Sequence, residues 1–467
     1  MSQDLMDLGA AQAGAPEPLR AVAPVAPVDE ILPAGRMSLL AVQHVLVMYT
    51  GAIAVPFIIG SALNLTQAQV AYLIQADLIT CGIATLIQTV GFWRFGVRMP
   101  LMQGITFAAI SPVIAIGSNP EILAAGPNAG LQAIYGAVIA AGAFAVLMAP
   151  LGRYIVRAFP PVVVGAVLTI MGLSLLPVAI QYARGGFVPD AGKPAYIGLA
   201  FLVLAAIVAL NVFGRGFVKN ISVFLGLIAG VVLAGVMGML DFGAVADAAP
   251  VAVVTPFAFG MPSFHLVPIL TMCLVVAITW VESIGDAIVV GEMVERPATE
   301  RTISDLLRAD GLSTMIGGAM NSFPYTAFSE NVALVNITGV RSRWTVALAG
   351  CFLIVLGLSP MLATAIASLP KPVVGGAGFV MFGTLVVVGI KTLQRTDFDT
   401  TFNNFMVVGL SVAMAMITIV EPGFFGFMPD WSQVVFHSPV IMGALTAIGA
   451  NAALNGLRGP TGIAAAH

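Results

Sequence analysis

Charged residues are scarce in this chain. Only 9% of its 467 residues are Asp, Glu, Lys or Arg, whereas 59% are hydrophobic. An ordinary soluble domain carries roughly 25% charged residues. This composition excludes a water-soluble protein and indicates an integral membrane protein whose main partner is the lipid bilayer.

Cysteine is scarce as well, and the familiar catalytic motifs are missing. Cys81, Cys273 and Cys351 stand singly in apolar runs, so they predict neither a disulfide framework nor a zinc site. The chain contains no HExxH, no GxSxG and no phosphate-binding loop. We therefore expect no metal, no cofactor and no enzymatic activity. An intramembrane enzyme is the alternative that these absences disfavour.

Long apolar runs are abundant instead, and a run of about 18 residues or more predicts one transmembrane helix. Twelve such runs lie between Met37 and Ala453. Their approximate bounds are 37–60, 66–92, 130–150, 158–181, 195–213, 219–240, 263–290, 303–320, 344–368, 372–391, 402–421 and 434–453. Residues 1–36, rich in Ala and Pro, and residues 455–467 are predicted to be cytosolic tails.

Two further apolar segments are interrupted by proline. One lies between Pro100 and Pro112, and the other runs from Ser322 to Thr338 around Pro324. Such a broken segment is tolerated at membrane depth only where protein or a cavity surrounds it. Each is third in its half of seven segments, a pattern typical of inverted-repeat transporters. We therefore predict an all-α membrane protein of 14 transmembrane segments in two inverted seven-segment repeats.

The basic residues support this count. Thirteen of the nineteen Lys and Arg residues fall in loops that 14 segments place in the cytosol, and three fall outside. The outer residues are Arg184, Lys193 and Lys371. The asymmetry follows the positive-inside rule, so both termini are predicted to face the cytosol.

Five carboxylates lie in or beside the apolar segments: Asp77, Glu282, Asp286, Asp310 and Glu330. An intramembrane ionisable residue marks a functional site by default because its desolvation is costly. Glu282 and Asp286 are four residues apart and share one helix face. Two carboxylates so close in a low dielectric favour keeping one proton, as a proton-coupled transporter requires. The alternatives are a helix-capping role for either acid of this pair and a solvated helix start for Asp310.

Polar and aromatic residues accompany the interrupted segments. Ser329, Glu330 and Asn331 follow Pro324 and offer donors and acceptors suited to a planar heterocycle, on which Phe107 could stack. Core packing is the alternative for Phe107. Gln43 and His44 lie in the first span; a structural hydrogen bond that arranges the site is the interpretation we favour for His44.

The motifs QH at 43–44, VESIGD at 281–286 and FPYTAFSENVALVNITGVRSR at 323–343 resemble the nucleobase-ascorbate transporter family, also called nucleobase-cation-symport 2. The resemblance covers about 37–455. The family signature is Gln, Glu or Pro, then Asn, any residue, Gly, four residues, Thr, and Arg, Lys or Gly. Here it begins at Glu330 and ends at Gly339, with Ala333 in place of the signature glycine.

The resemblance implies a core domain of 37–152 and 262–369 and a gate domain of 153–245 and 370–454. It implies that segments 3 and 10 each consist of a short strand plus a half-helix. It also implies a homodimer in the cell (inner) membrane that moves core against gate like an elevator. Its partners would be a nucleobase and protons, the coupling ion, and no nucleic acid.

The resemblance also implies roles for single residues. Substrate-binding residues would be Glu282, Glu330, Phe107, Asn331, Thr106 and Ser329. Proton-coupling residues would be Asp286, Asp310 and Glu282. Supporting residues would be His44, Gln43 and Asp77.

Substrate choice remains open within this family. The Glu-x-x-x-Asp spacing at 282–286 is similar to the xanthine and uric acid branch, because uracil carriers usually have His at position 286. Glu330 is more like the uracil carriers, since the purine branch commonly has Gln there. We expect a proton symporter for xanthine or uric acid, with uracil, broader purines such as guanine or hypoxanthine, and a passive uniporter or channel as alternatives.

Overall fold

The structure is a computed structural model that describes residues 26–155, 159–186, 188–240, 242–399 and 402–456. The predicted tails therefore lie largely outside the described residues. The first helix begins at Ala34, three residues before the predicted start. It is preceded by a 3-10 turn, Pro27–Asp29.

The first half of the chain is helical apart from one short strand, β1, at Gln103–Ile105. The 3-10 turns Phe107–Ala109 and Ala149–Leu151 precede α3 and α6. The helices are α1 Ala34–Ala62, α2 Gln67–Val90, α3 Ile110–Gly117, α4 Pro120–Leu123, α5 Ala129–Met148, α6 Gly152–Ile155, α7 Pro161–Ala183, α8 Pro194–Phe213, α9 Phe217–Asn220, α10 Ser222–Val236 and α11 Gly243–Ala246.

The second half is likewise helical apart from one short strand, β2, at Tyr325–Ala327. Its helices are α12 Leu266–Met293, α13 Glu300–Ala319, α14 Ser329–Thr338, α15 Arg343–Gly357, α16 Pro360–Ala367, α17 Lys371–Leu393, α18 Phe402–Val420, α19 Asp430–Phe436 and α20 Pro439–Asn455.

Local sequence explains where several helices begin and end. Thr66 and Gln69 form a capping box at the start of α2, which satisfies two otherwise free amides. Proline opens α7, α8 and α20, where its missing N–H removes no helical hydrogen bond. Gly339 ends α14 in the left-handed conformation, with φ +63°.

Eight of the described helices are long and apolar enough to cross a membrane, or nine if the bent pair α15 and α16 is one span. These two helices meet at 81°, although the sequence predicts one continuous span over 344–368. The break falls at Ser359, because Pro360 disfavours helical backbone in the residue before it. Helix α13 has 20 residues but carries five charged residues, which explains its lower hydropathy. The number of 14 segments stays a prediction.

Helices of the two halves pack against each other in two groups. Helices α1, α2 and α5 pack on α15, α13 and α12, whereas α7, α8 and α10 pack on α17, α18 and α20. Glycines bring backbones together in the first group: a Cβ at Gly142 of α5 would lie 2.7 Å from the carbonyl oxygen of Gly311 in α13. Close approach through small residues is how membrane helices gain packing energy.

Candidate functional site

The two proline-interrupted segments meet at the centre of the first helix group. Strands β1 and β2 pair antiparallel, with Gly104 opposite Thr326. Two more backbone bonds extend the pairing, from Phe328 N to Met102 O at 2.9 Å and from Thr106 N to Pro324 O at 3.1 Å. All six strand residues are buried. The pairing satisfies backbone groups that no water could reach, and it places the starts of α3 and α14 side by side.

Helix α12 brings its acidic pair to the start of α14. The Ser329 hydroxyl lies 2.8 Å from Asp286 Oδ2 and 3.4 Å from Glu282 Oε1. Both carboxylates are partly exposed. Glu282 is also within electrostatic range of Glu330 and Asp310. No Lys, Arg or His forms an ion pair with any of these four acids among the described residues. Four carboxylates so arranged repel one another when ionised.

The same helix is fixed to strand β2 by a neighbouring serine. Ser283 Oγ lies 2.8 Å from Thr326 Oγ1 and accepts the Ala327 N–H at 3.1 Å. Ser283 lies between the two acids in sequence and is fully buried. These bonds hold the acidic face of α12 in register with the strand crossing. The sequence reading did not single out Ser283 or Thr326, although the serine lies within the VESIGD motif.

The side chain of Asn331 is hydrogen-bonded to the first helix, α1. Its side-chain nitrogen donates to His44 O at 2.9 Å and lies 3.1 Å from His44 Nδ1. It also contacts Met102 Sδ at 3.3 Å. Asn331 and His44 are almost completely buried. The contact joins α14 to α1 and uses the Asn331 amide donor within the protein. The supporting role of His44 stays a prediction. Gln43 is half-buried and has no hydrogen bond among the described residues.

A cavity of about 290 Å³ lies beside the strand crossing. Glu330, Phe107, Phe328 and Ala333 line it from one side. Helices α8, α10 and α17 and the short α9 line the other. Phe107 contacts Phe382 edge to face, with 6.4 Å between ring centres, so its packing is defined. Thr106 does not line the cavity; its hydroxyl accepts the Ala108 N–H at 3.1 Å and caps the turn that carries Phe107.

Asp310 belongs to a buried network behind the crossing. Gln88 of α2 donates to Asp310 Oδ1 at 2.8 Å and to Leu306 O at 3.2 Å. The Gln88 carbonyl in turn accepts the Val97 N–H at 2.9 Å. Asp310 is 3% exposed, so the solvated helix start that the sequence left open as an alternative is wrong. Gln88 was not predicted; a glutamine deep in an apolar run is its only sequence signal.

Asp77 anchors the other end of strand β2. The hydroxyl of Tyr325 donates to Asp77 Oδ1 at 2.6 Å, and Ser322 and Cys81 contact the same oxygen at 3.4 and 3.2 Å. Its second oxygen, Oδ2, is buried without a partner. Asp77 does not line the cavity, and its supporting role stays a prediction.

Most of the chain matches a known protein family. A family model described as "Permease family" matches residues 35–423. The chain belongs to the nucleobase-ascorbate transporter family. This membership confirms the resemblance inferred from the motifs at 43–44, 281–286 and 323–343. As a permease-family member, the chain is a multi-pass membrane transporter and not an enzyme.

Several members of this family are similar over most of the chain. The uric acid transporter UacT of Escherichia coli is 43% identical over 93% of this chain and 89% of its own length. The xanthine permease of Bacillus subtilis is 40% identical over 90% of this chain and 94% of its own. The uric acid permease PucJ of Bacillus subtilis is 40% identical, covering 88% and 90%.

Two solved structures share the fold at low identity. The transmembrane domain of the cyanobacterial bicarbonate transporter BicA superposes with a TM-score of 0.59 at 15% identity, over 90% of this chain and 99% of that domain. Murine Slc26a9, an anion transporter, gives 0.61 at 12% identity over 91% of this chain and 69% of its own. These likenesses concern the fold alone.

Proposed function

We propose that this permease-family member is a proton-coupled importer of xanthine, uric acid or both. The observation that carries the proposal is the strand crossing, which holds Glu282 and Asp286 against Ser329 at the start of α14. The next residue, Glu330, lines a cavity together with Phe107 and Phe328. Ring N–H groups of a purine need acceptors, and ionised carboxylates only accept. The phenylalanine rings supply a surface on which a flat base stacks. Relatives named for uric acid and xanthine support the same substrate class.

In this proposal, Glu282 and Glu330 accept hydrogen bonds from the ring N–H groups. Asp286 takes up the coupled proton, since it shares Ser329 with Glu282 and lacks a cationic partner. Asp310 contributes through its link to Gln88, which joins the acidic site to α2. His44 and Asn331 hold α14 against α1, and Thr106 positions Phe107.

The proposed mechanism moves one helix group against the other. The group that contains the strand crossing corresponds to the core domain, and the group with α7, α8, α10, α17, α18 and α20 corresponds to the gate domain. The cavity lies between them, so sliding the core past the gate carries the site across the bilayer. Fourteen segments in two inverted repeats, cytosolic termini and a homodimer belong to this proposal.

A passive uniporter of the same fold is the second candidate. Among the described residues no cation pairs with the acidic site. This favours proton coupling over a uniporter, because neutralising the carboxylates lowers their repulsion before transport. Among substrates, Glu330 keeps uracil and broader purines open as alternatives.

Uptake into proteoliposomes tests the proposal. Radiolabelled xanthine should accumulate against its gradient when the outside is acid, and a protonophore should abolish that accumulation. Unlabelled uric acid should compete more strongly than uracil, guanine or hypoxanthine. Equilibration without accumulation, unaffected by the imposed pH gradient, establishes the uniporter instead. Stronger competition by uracil moves the assignment to the uracil branch.

A further inference from the structure

The cavity wall opposite Glu330 carries polar side chains with no role so far. They lie where α8 turns into α10, and we call them the donor wall: Asn211, Lys219, Asn220 and Ser222. All four line the cavity. Asn211 donates to Ser222 Oγ at 2.6 Å and to Ile207 O at 3.1 Å, which fixes the two helices together.

Two members of the donor wall carry hydrogen-bond donors that no described residue accepts. The side-chain nitrogen of Asn220 is buried and has no hydrogen-bond partner in the part of the chain that the structure describes. Lys219 is exposed and makes no ion pair or hydrogen bond among the described residues. A buried unsatisfied amide costs about 1 to 3 kcal/mol, so such a group normally serves a ligand or a water.

On the opposite side of the cavity, no lining side chain among the described residues is a free hydrogen-bond donor. Glu330, the acid that lines this side, only accepts when ionised. The Ser329 hydroxyl is engaged by the carboxylates, and the Asn331 amide is engaged by His44. An oxidised purine presents carbonyl oxygens as well as N–H groups, and those oxygens require donors. The side chains on this side therefore offer such a base acceptors but no donor.

We propose that Lys219 and Asn220 donate hydrogen bonds to the carbonyl oxygens of the bound base and set its specificity from the gate side. This inference rests on the proposed function and adds a second recognition surface to it. Lys219 also supplies the one positive charge among the residues that line the cavity. It therefore favours a base that carries negative charge and several carbonyl groups, and uric acid in its anionic form fits best.

Competition in proteoliposomes tests the donor wall. Uptake of radiolabelled xanthine is measured with increasing unlabelled uric acid, xanthine or hypoxanthine, bases with three, two and one carbonyl groups. Lys219→Gln should weaken competition by uric acid roughly 10-fold or more, as loss of a charged hydrogen bond predicts. The same substitution should weaken competition by hypoxanthine least. Asn220→Ala should weaken competition by uric acid roughly 2- to 10-fold, and competition by xanthine and hypoxanthine progressively less.

Arg215→Gln is the matched control, because Arg215 is an exposed cation of the same connection that does not line the cavity. It should leave all three competition curves unchanged. Lys219→Arg keeps the positive charge, so uric acid should compete with this variant's xanthine uptake about as strongly as it does in the wild type.

Equal weakening for all three bases in Lys219→Gln overturns the inference, because it reveals a structural effect of the substitution. Unchanged uric acid competition overturns it too, and leaves the proposed function standing if wild-type vesicles accumulate xanthine. If wild-type vesicles accumulate none of these bases, the proposed function fails, and the donor wall fails with it.

Discussion

Helices α2 and α8 look alike as apolar segments but differ in their surroundings. Within their most apolar windows, 78% of residues in α2 are buried, against 22% in α8. Helix α2 carries Asp77 and Gln88, both completely buried. Helix α8 ends in Val212 and Phe213, which are 67% and 82% exposed. One helix lies inside the protein, whereas most of the other is left uncovered by the rest of the described chain.

The difference teaches where polar groups can be used in this fold. A polar side chain inside the first helix group finds a partner, as Gln88 finds Asp310, because several helices and two strands surround it. On α8 the polar side chains that bond to other side chains lie near its two ends: Tyr196 donates to Asp190, and Asn211 donates to Ser222 at the end that meets the cavity. Apolar length therefore identifies a span, whereas neighbouring helices decide whether it can contribute to a site.

The largest effect is expected for a carboxylate of the inner group. Glu282→Gln should reduce concentrative xanthine uptake roughly 10- to 100-fold, since it removes a charged acceptor for the ring N–H groups. Uptake is measured at matched protein levels in the membrane. Near-normal accumulation by this variant contradicts the proposed role of the acidic face of α12.

A smaller effect is expected from packing, and it sharpens the contrast between inner and outer helices. Gly142→Ala places a Cβ 2.6 Å from the backbone nitrogen of Met315, so α5 and α13 must separate. Overpacking of this kind costs about 1 to 3 kcal/mol. Thermal unfolding of the purified protein should show a lower midpoint.

Gly198→Ala in α8 is the matched control, because a Cβ there meets no atom within 4 Å. Its unfolding midpoint should equal that of the wild type or exceed it, since alanine favours helix more than glycine does. Similar destabilisation by both substitutions breaks the comparison, because it shows α8 to be as tightly packed as α5.

The smallest effect is a change of preference at the cavity. Glu330→Gln should shift competition toward xanthine and uric acid by roughly 2- to 10-fold, because an amide donates as well as accepts. The ratio of competition by uric acid to that by uracil measures the shift. An unchanged ratio shows that Glu330 does not discriminate between these bases.

Much of the site could be predicted because its residues conflict with their surroundings. Glu282, Asp286 and Asp310 were found from the energetic cost of charge in apolar segments, and Phe107 and Glu330 from the proline interruptions. Gln88, Ser283 and Thr326 were missed because uncharged polar residues occur in many membrane helices. The break at Ser359 was missed because hydropathy averages over it, although Pro360 was a visible signal.

The sequence by itself determined that the chain spans a membrane, which segments are interrupted, and which family it belongs to. These properties depend on composition and on short motifs, so they are readable without coordinates. Only the tertiary structure decided that Ser329 joins Glu282 to Asp286, that Asn331 is held by His44, and that Lys219 and Asn220 lie across a cavity from Glu330. Such contacts link residues far apart in the chain, and no local pattern encodes the packing that brings them together.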